Sequence, residues 1–383
     1  MHENDLQSAA GGEVVLLITA LRGLPFLVPR DTDWEALLEL AGEHGVLPIL
    51  HRSLTESAAE IPDFFTAAVR ERRESAETLA RELECLLKHF AEQEIEVLPL
   101  KGPALAAALY GDVAMRSFHD LDLLVRRDNF ERAELLLLDL GFAARNPADD
   151  YHRGFRREEI LLELHFGVAS DLTFPLDSFP FDVEAVWSRA LPGSFRGQPM
   201  HIMSDDDLVL YLCLHGLKHG FAKLIWVVDI ARALGQMRGQ TRQSTPAQLA
   251  ANARQQGLEL PLLIGCEMVR EILPQQLPSD METVIQESSE TAAMARRVVA
   301  RLFVEGPGVS EDAEIRSLYL QTEPSARQRW RRRLSFFAPT LEDYAWVERH
   351  RIHDGLTPVV RPFRLLQKYG PSRVWRILFP PPM

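Results

Sequence analysis

Two aspartates one residue apart, Asp120 and Asp122, sit inside the apolar run Leu121, Leu123, Leu124 and Val125. Side chains alternate across a strand, so a strand here puts both carboxylates on one face and Leu121, Leu123 and Val125 on the other. Adjacent ionised carboxylates repel, and a divalent cation held between and beyond them relieves that repulsion. About forty residues later, Leu162, Leu164 and Phe166 alternate with Glu163 and His165, which predicts a second strand with an acid and an imidazole on its polar face. Upstream, the short apolar run Ile95 to Leu100 ends in Lys101-Gly102-Pro103. Pro103 suits the start of a helix, continued by Ala104 to Tyr110 and stopped at Gly111. A strand, a glycine turn and a helix N-terminus offer free backbone N–H groups to a phosphate, and Lys101 adds a point charge beside them.

Each signal has an ordinary reading of its own. Many strand-to-helix turns hold a glycine and bind nothing, and Lys101-Gly102 does not have the P-loop spacing. An Asp-x-Asp can mark a solvated strand end, and one Glu on a strand usually marks a wet face. What favours chemistry is the conjunction of a phosphate-sized turn and three acids within one small α/β unit.

The elements that must position these residues are mostly helical. Before the unit, helices are predicted over Val14 to Leu21, Asp33 to His44, Leu47 to Leu54 and, as one long segment, Asp63 to Glu94, with Asp33 as an N-cap and Gly45 as a stop. In the long segment Phe65, Val69, Leu79, Leu83, Leu86, Leu87 and Phe90 recur at helical spacing, a packing face with a charged, solvated opposite side. Within the unit, Asp128 is expected to cap a helix from Phe130 to Leu140 closed by Gly141. Strands are expected over Arg145 to Gly154 and Glu159 to Gly167, joined by the charged turn Arg156 to Glu158. After it, Asp205 to Asp207 open a helix over Leu208 to Leu217, Trp226 to Ile230 lie in another, Gly239 to Pro246 form a polar linker, and helices resume over Ala247 to Leu273 and Met281 to Phe303. The expected fold class is α+β, a small mixed-sheet core embedded between helical regions. The expected domains are an N-terminal helical region 1–94, the α/β core 95–200, a helical domain 201–323 and a basic aromatic tail 324–383.

The 383 residues carry a formal charge of -13, which argues against general nucleic-acid binding. From Pro324 onward 12 Lys and Arg stand against 4 Asp and Glu, so that end is near +8 and the rest near -21. The tail, with Trp330, Phe363, Tyr369, Trp375 and Phe379 among its basic residues, suits contact with an anionic partner, a membrane surface or the acidic body of the protein itself, and packing back onto the body is the expectation. Cys85, Cys213 and Cys266 are widely spaced in helical apolar patterns, as reduced core thiols would be. The first apolar run, Val14 to Val28, is broken by Arg22, Gly23 and Pro25, so no signal peptide or transmembrane segment is expected and the protein is placed in the cytoplasm. His215 and His219 are one helical turn apart, but the Glu of a zinc-protease helix is missing between them.

Lys101-Gly102, Arg116, Asp120-Leu121-Asp122 and Glu163-Leu164-His165 together resemble the bacterial family of uncharacterised nucleotidyltransferases within the DNA polymerase β-like superfamily. The resemblance runs roughly from Val14 to Leu366 and is most specific between Leu98 and His165. The superfamily's first turn is typically Gly-Ser, whereas this chain has Lys101-Gly102, as in the uncharacterised subgroup. The resemblance implies transfer of a nucleoside monophosphate from an NTP, with ATP expected, to a hydroxyl acceptor that nothing in the sequence identifies, and release of pyrophosphate. It implies two Mg²⁺ ions roughly 3.5 to 4 Å apart on Asp120, Asp122 and Glu163, which are also the catalytic residues. Lys101, Gly102 and Arg116 are expected to bind the nucleotide, with Lys218 and His219 carried over as triphosphate contacts from the helical domain. His165 is expected to orient Glu163 or the acceptor. The competing expectation is an inactive nucleotide-binding or protein-interaction module.

Overall fold

The computed structural model describes residues 12–145, 151–168, 181–236 and 244–285, together with scattered positions between 292 and 375 that include the helix Thr357–Tyr369. Four helices precede the sheet: α1 (Gly12–Arg22), α2 (Trp34–Glu43), α3 (Leu47–Glu56) and α4 (Asp63–Glu92). Asp33 caps α2 by accepting hydrogen bonds from the backbone N–H groups of Glu35 and Ala36, and Gly45 follows with φ +71°. The length of α4 lets it serve two cores. Phe65 near its start is buried among the N-terminal helices, while Ala76, Leu79, Leu83, Leu87 and Phe90 lie against the sheet.

The five-stranded sheet has the order β1-β2-β5-β4-β3, made of β1 (Val97–Pro99), β2 (Asp120–Val125), β5 (Ile160–His165), β4 (His152–Arg157) and β3 (Ala143–Ala144). Its central pair, β2 with β5, is parallel, and the other pairings are antiparallel. Helix α5 (Gly102–Tyr110) links β1 to β2, and α6 (Phe130–Asp139) lies in the crossover from β2 to β5. The pleat sorts the residues by face. Leu121, Leu123, Val125, Phe155, Leu162 and Leu164 pack with α4 and α6 in one core. On the opposite face Leu98 and Leu124 join a larger core built with the helices that follow.

Those helices are α7 (Val183–Arg189), α8 (Asp205–Lys218), α9 (Leu224–Gln236), α10 (Pro246–Gln255), α11 (Glu259–Ile272) and the short α12 (Glu282–Ile285). Helices α8 and α11 approach closely because Gly265 has no side chain: a Cβ there would lie 2.5 Å from Cys213 Sγ. Among the described residues no helix is long and apolar enough to cross a membrane.

Several expected elements are corrected. Asp128 does not cap α6; it lies in a 3-10 turn, Arg127–Asn129, and the cap position Asn129 makes no side-chain hydrogen bond. The strand expected over Arg145 to Gly154 instead runs from His152 to Arg157, because the hairpin turns at Glu158-Glu159, where Glu158 adopts φ +53°. Ala247 to Leu273 is two helices, α10 and α11, interrupted at Gly257 with φ +69°. A hairpin of β6 (Leu191–Phe195) and β7 (Gln198–Ile202) was not expected at all. Cys85 is exposed, so only Cys213 and Cys266 are core thiols, and all three are free. Most of the basic tail and of Met281 to Phe303 lies outside the described residues. Within the helix Thr357–Tyr369, Leu365 is buried while Val359 and Phe363 are exposed.

Candidate active site

The backbone brings the lysine turn to the aspartates. Leu100 N–H donates to the Asp122 carbonyl at 2.9 Å, which extends β1 alongside β2 up to the turn. Gly102 then takes φ +69°, and a Cβ there would stand 3.4 Å from the Asp120 carbonyl oxygen. Glycine is required by both the left-handed backbone and the close approach. The result places Lys101 Nζ 3.2 Å from Asp122 Oδ2, a contact between side chains that are 18% and 2% exposed.

Parallel pairing supplies the third acid. Asp122 and Glu163 are directly opposite in the β2–β5 register, so their side chains share a face. His165, two residues further along the same face, holds Nε2 3.3 Å from Asp122 Oδ1 and 3.3 Å from Glu163 Oε2. On β4, His152 pairs with His165, and their rings stack at 5.2 Å and 17°.

Helix α8 closes the other side. Ser204 caps its N-terminus, and the buried Asp207 on its first turn is gripped by Arg189 through two hydrogen bonds of 2.9 and 2.7 Å. Its far end presents Tyr211, Leu214, His215 and Lys218. With Lys101, Asp120, Asp122, Tyr151, His152, Glu163, His165 and His219, these residues line a cleft of about 310 Å³. Lys218 Nζ donates to Tyr151 Oη at 3.3 Å across it and stands 4.9 Å from that ring's centroid. His219 is exposed and packs edge-on to His215 at 4.7 Å.

Burial and mutual repulsion set the acids apart. Burial first, and Asp122 second, push the Asp120 carboxyl up to about 6. Burial opposes the charge on Asp122 too, yet Lys101 and His165 hold it well below the usual carboxylate range. The hydrogen bond from His165 lowers Glu163. His165 itself is raised by its two carboxylate partners despite its burial. Lys101 is raised by Asp122 against burial. On the facing wall, burial and then Lys101 push His215 well down, so that imidazole stays neutral.

Of the residues singled out in the sequence, Lys101, Asp120, Asp122, Glu163, His165, Lys218 and His219 all line this one cleft, and Gly102 forms its turn. Arg116 does not line it. It is 5% exposed and donates from Nε to Asp229 Oδ2 on α9 at 2.9 Å, while Tyr110 Oη donates to Asp229 Oδ1 at 2.7 Å. Tyr151, His152, Tyr211 and His215 as cleft residues were missed. The first two had a readable signal, because a two-residue turn at Glu158-Glu159 pairs His152 with His165.

The donor set fits a divalent cation. Asp122, Glu163 and His165 each offer a ligand atom, and these atoms lie within 4.8 Å of one another. Asp122 Oδ2 is buried, with the Lys101 ammonium 3.2 Å away as its counter-charge. Two hard carboxylate oxygens and one imidazole nitrogen suit such an ion.

With this geometry in place, comparison with known proteins gives the class. The chain belongs to the family of uncharacterised nucleotidyltransferases, matched over residues 30–274, and is therefore a transferase enzyme of the nucleotidyl-transferring class. Among solved structures, it is similar to the antibiotic-resistance factor ANT(2'')-Ia in solution, at 17% identity over 46% of this chain and 92% of that one, with a TM-score of 0.33. The crystal structure of ANT(2'')-Ia in complex with adenylyl-2''-tobramycin matches at 17% identity, covering 46% and 98%, with a TM-score of 0.33. An antigenic nucleotidyltransferase-like protein from Paracoccidioides brasiliensis matches at 16% identity, covering 49% and 92%, with a TM-score of 0.29. No curated protein sequence matches the chain.

Proposed function

We propose that this enzyme transfers a nucleoside monophosphate from an NTP, with ATP the expected donor, to a hydroxyl group of a small molecule or peptide, and releases pyrophosphate. The observation that carries the reading is the meeting of Asp122, Glu163 and His165 beside the Lys101-Gly102 turn in one cleft. Two divalent cations, Mg²⁺ expected, held by Asp120, Asp122 and Glu163, supply charge that neutralises the phosphates and eases loss of the acceptor proton.

The chain's own groups do the rest. Backbone N–H groups at the start of α5 donate to the triphosphate, and Lys101 neutralises charge that builds on its oxygens. Lys218 meets the triphosphate from the helical side. The acceptor oxygen bonds to the α-phosphorus in line with the departing bond to the β-phosphate oxygen, and that bond breaks to free pyrophosphate. The acceptor's proton passes to a carboxylate. Glu163, opposite Asp122 on the next strand, is the carboxylate placed to take it. Catalysis is thus positioning and electrostatics, with no covalent step on the protein.

The test is pyrophosphate release with each NTP and Mg²⁺ over a panel of hydroxyl acceptors, with mass spectrometry of both the acceptors and the intact protein. A nucleotide-sized mass gain matched by pyrophosphate is the expected result. Absence of any metal-dependent NTP binding by calorimetry would overturn the proposal in favour of an interaction module.

A further inference from the structure

We propose that His165 is itself a metal ligand, so that the ion between β2 and β5 sits in a mixed nitrogen and oxygen set and is a first-row transition ion in preference to Mg²⁺. This deepens the nucleotidyl-transfer reading and rests on it. Three observations carry it. First, His165 Nε2 is 3.3 Å from Asp122 Oδ1 and 3.3 Å from Glu163 Oε2. One ring nitrogen thus stands at the same distance from an oxygen of each carboxylate. Neighbouring donors around a cation with bonds of about 2.1 to 2.3 Å are themselves roughly 3.0 to 3.3 Å apart, which accounts for the pair.

Second, among the described residues the group able to share one ion is Asp122, Glu163 and His165. Asp120, one pleat back along β2, is not in it, and is left for a second ion. Third, the imidazole is held in place before any ion arrives: it is buried and stacked on the parallel ring of His152. Mg²⁺ prefers oxygen ligands and keeps its water, whereas imidazole nitrogen favours first-row transition ions.

The experiment uses the full chain with Mn²⁺ as the probe, alone and with a non-hydrolysable ATP analogue. Pulsed electron paramagnetic resonance is expected to detect hyperfine coupling from a directly bound nitrogen, shifted as required when the protein is grown with ¹⁵N-histidine. Calorimetry is expected to show Mn²⁺ binding at least about tenfold tighter than Mg²⁺, and His165→Gln to remove both the coupling and that preference. The wild-type spectrum decides the matter even if the variant fails to fold. Mn²⁺ bound without nitrogen coupling, coupling that survives in His165→Gln, or no metal binding at all would each overturn the proposal. Pyrophosphate release measured in parallel with Mg²⁺ separates the two ideas: transfer without nitrogen coupling removes only the ligand assignment, and absence of both removes the enzyme reading as well.

Discussion

Asp229 is the buried acid on which the helical half and the sheet half meet, and its removal has a cost that follows from its partners. The carboxylate is 0% exposed and Arg116 5% exposed, and the two hydrogen bonds it accepts come from Tyr110 at the end of α5 and from Arg116 just before β2. Asp229→Ala leaves the Arg116 guanidinium buried without its counter-charge. Breaking such a pair from one side costs about 3–5 kcal/mol. Tyr110→Phe removes one hydrogen bond to a charged acceptor and leaves the ion pair, so it costs about 1.5–3 kcal/mol. Arg116→Met with Asp229→Leu removes both charges together, and is expected to cost less than the sum of its single variants by about 1–3 kcal/mol.

The assay is thermal and urea unfolding followed by circular dichroism for wild type, the single variants and the double variant, with NTP affinity measured alongside. At about 2–4 °C per kcal/mol, Asp229→Ala lowers the melting temperature by roughly 6–20 °C. A structural role for Arg116 requires its stability loss and its NTP effect to travel together. Asp229→Ala within about 1 kcal/mol of wild type would refute the reasoning, because a stranded buried charge cannot be that cheap. Arg116→Met that weakened NTP binding with no loss of stability would return Arg116 to the nucleotide, as the sequence pattern first implied.

Three further outcomes are expected. Asp122→Asn keeps its shape and its contact with Lys101 while losing the charge, so turnover should fall by about a thousandfold or more with the dichroism spectrum unchanged; equal loss of melting temperature and turnover would make the aspartate structural. Asp120 holds its proton up to about 6 in the folded chain against 3.8 ordinarily, so metal-free stability declines as pH rises from about 4 through 6, where the unfolded chain has already released that proton. Asp120→Asn should therefore stabilise the metal-free protein by roughly 1–3 kcal/mol near neutral pH and not at about pH 4, read from melting temperatures; a gain confined to low pH would reverse the sign and sink the assignment. Gly102→Ala forces a Cβ into φ +69° and against the Asp120 carbonyl at 3.4 Å, so it should cost about 1–2 kcal/mol and weaken NTP binding; unaltered NTP affinity would show that the turn does not meet phosphate.

The sequence carried the polar face of the two central strands, because alternation within a strand is local. Asp120 and Asp122 fall on one side of β2, and Glu163 and His165 on one side of β5, whatever else the chain does. Capping was equally local at Asp33. Register across strands was harder. Placing the hairpin turn at Arg156 to Glu158 rather than at Glu158-Glu159 slides β4 along β5 and hides the pairing of His152 with His165. The β6–β7 hairpin had a signal too, a two-residue turn at Arg196-Gly197 with φ +50° and +84°, but its strands carry Pro192, Gly193 and Pro199, which mask the alternation. Illegible in principle was Arg116, whose partner Asp229 lies 113 residues away: no pattern near Arg116 distinguishes a cation aimed at phosphate from one aimed at a buried acid.

Charge accounts for why a cleft of this make-up suits a metal-bound nucleotide better than either part alone. Three carboxylates, Asp120, Asp122 and Glu163, face Lys101 and Lys218 in one cleft. By itself that set is close to balanced, which is how three acids survive half-buried on one sheet face. Two divalent ions alone would leave it strongly positive, and a triphosphate alone would bring roughly four negative charges against acids already present. Added together, ions and triphosphate cancel, so on the proposed reading each should raise the affinity of the other by the same factor. The neutral imidazole of His215, pushed well down by burial and by Lys101, adds no further charge to the helical wall and so leaves that balance to Lys218 on that side.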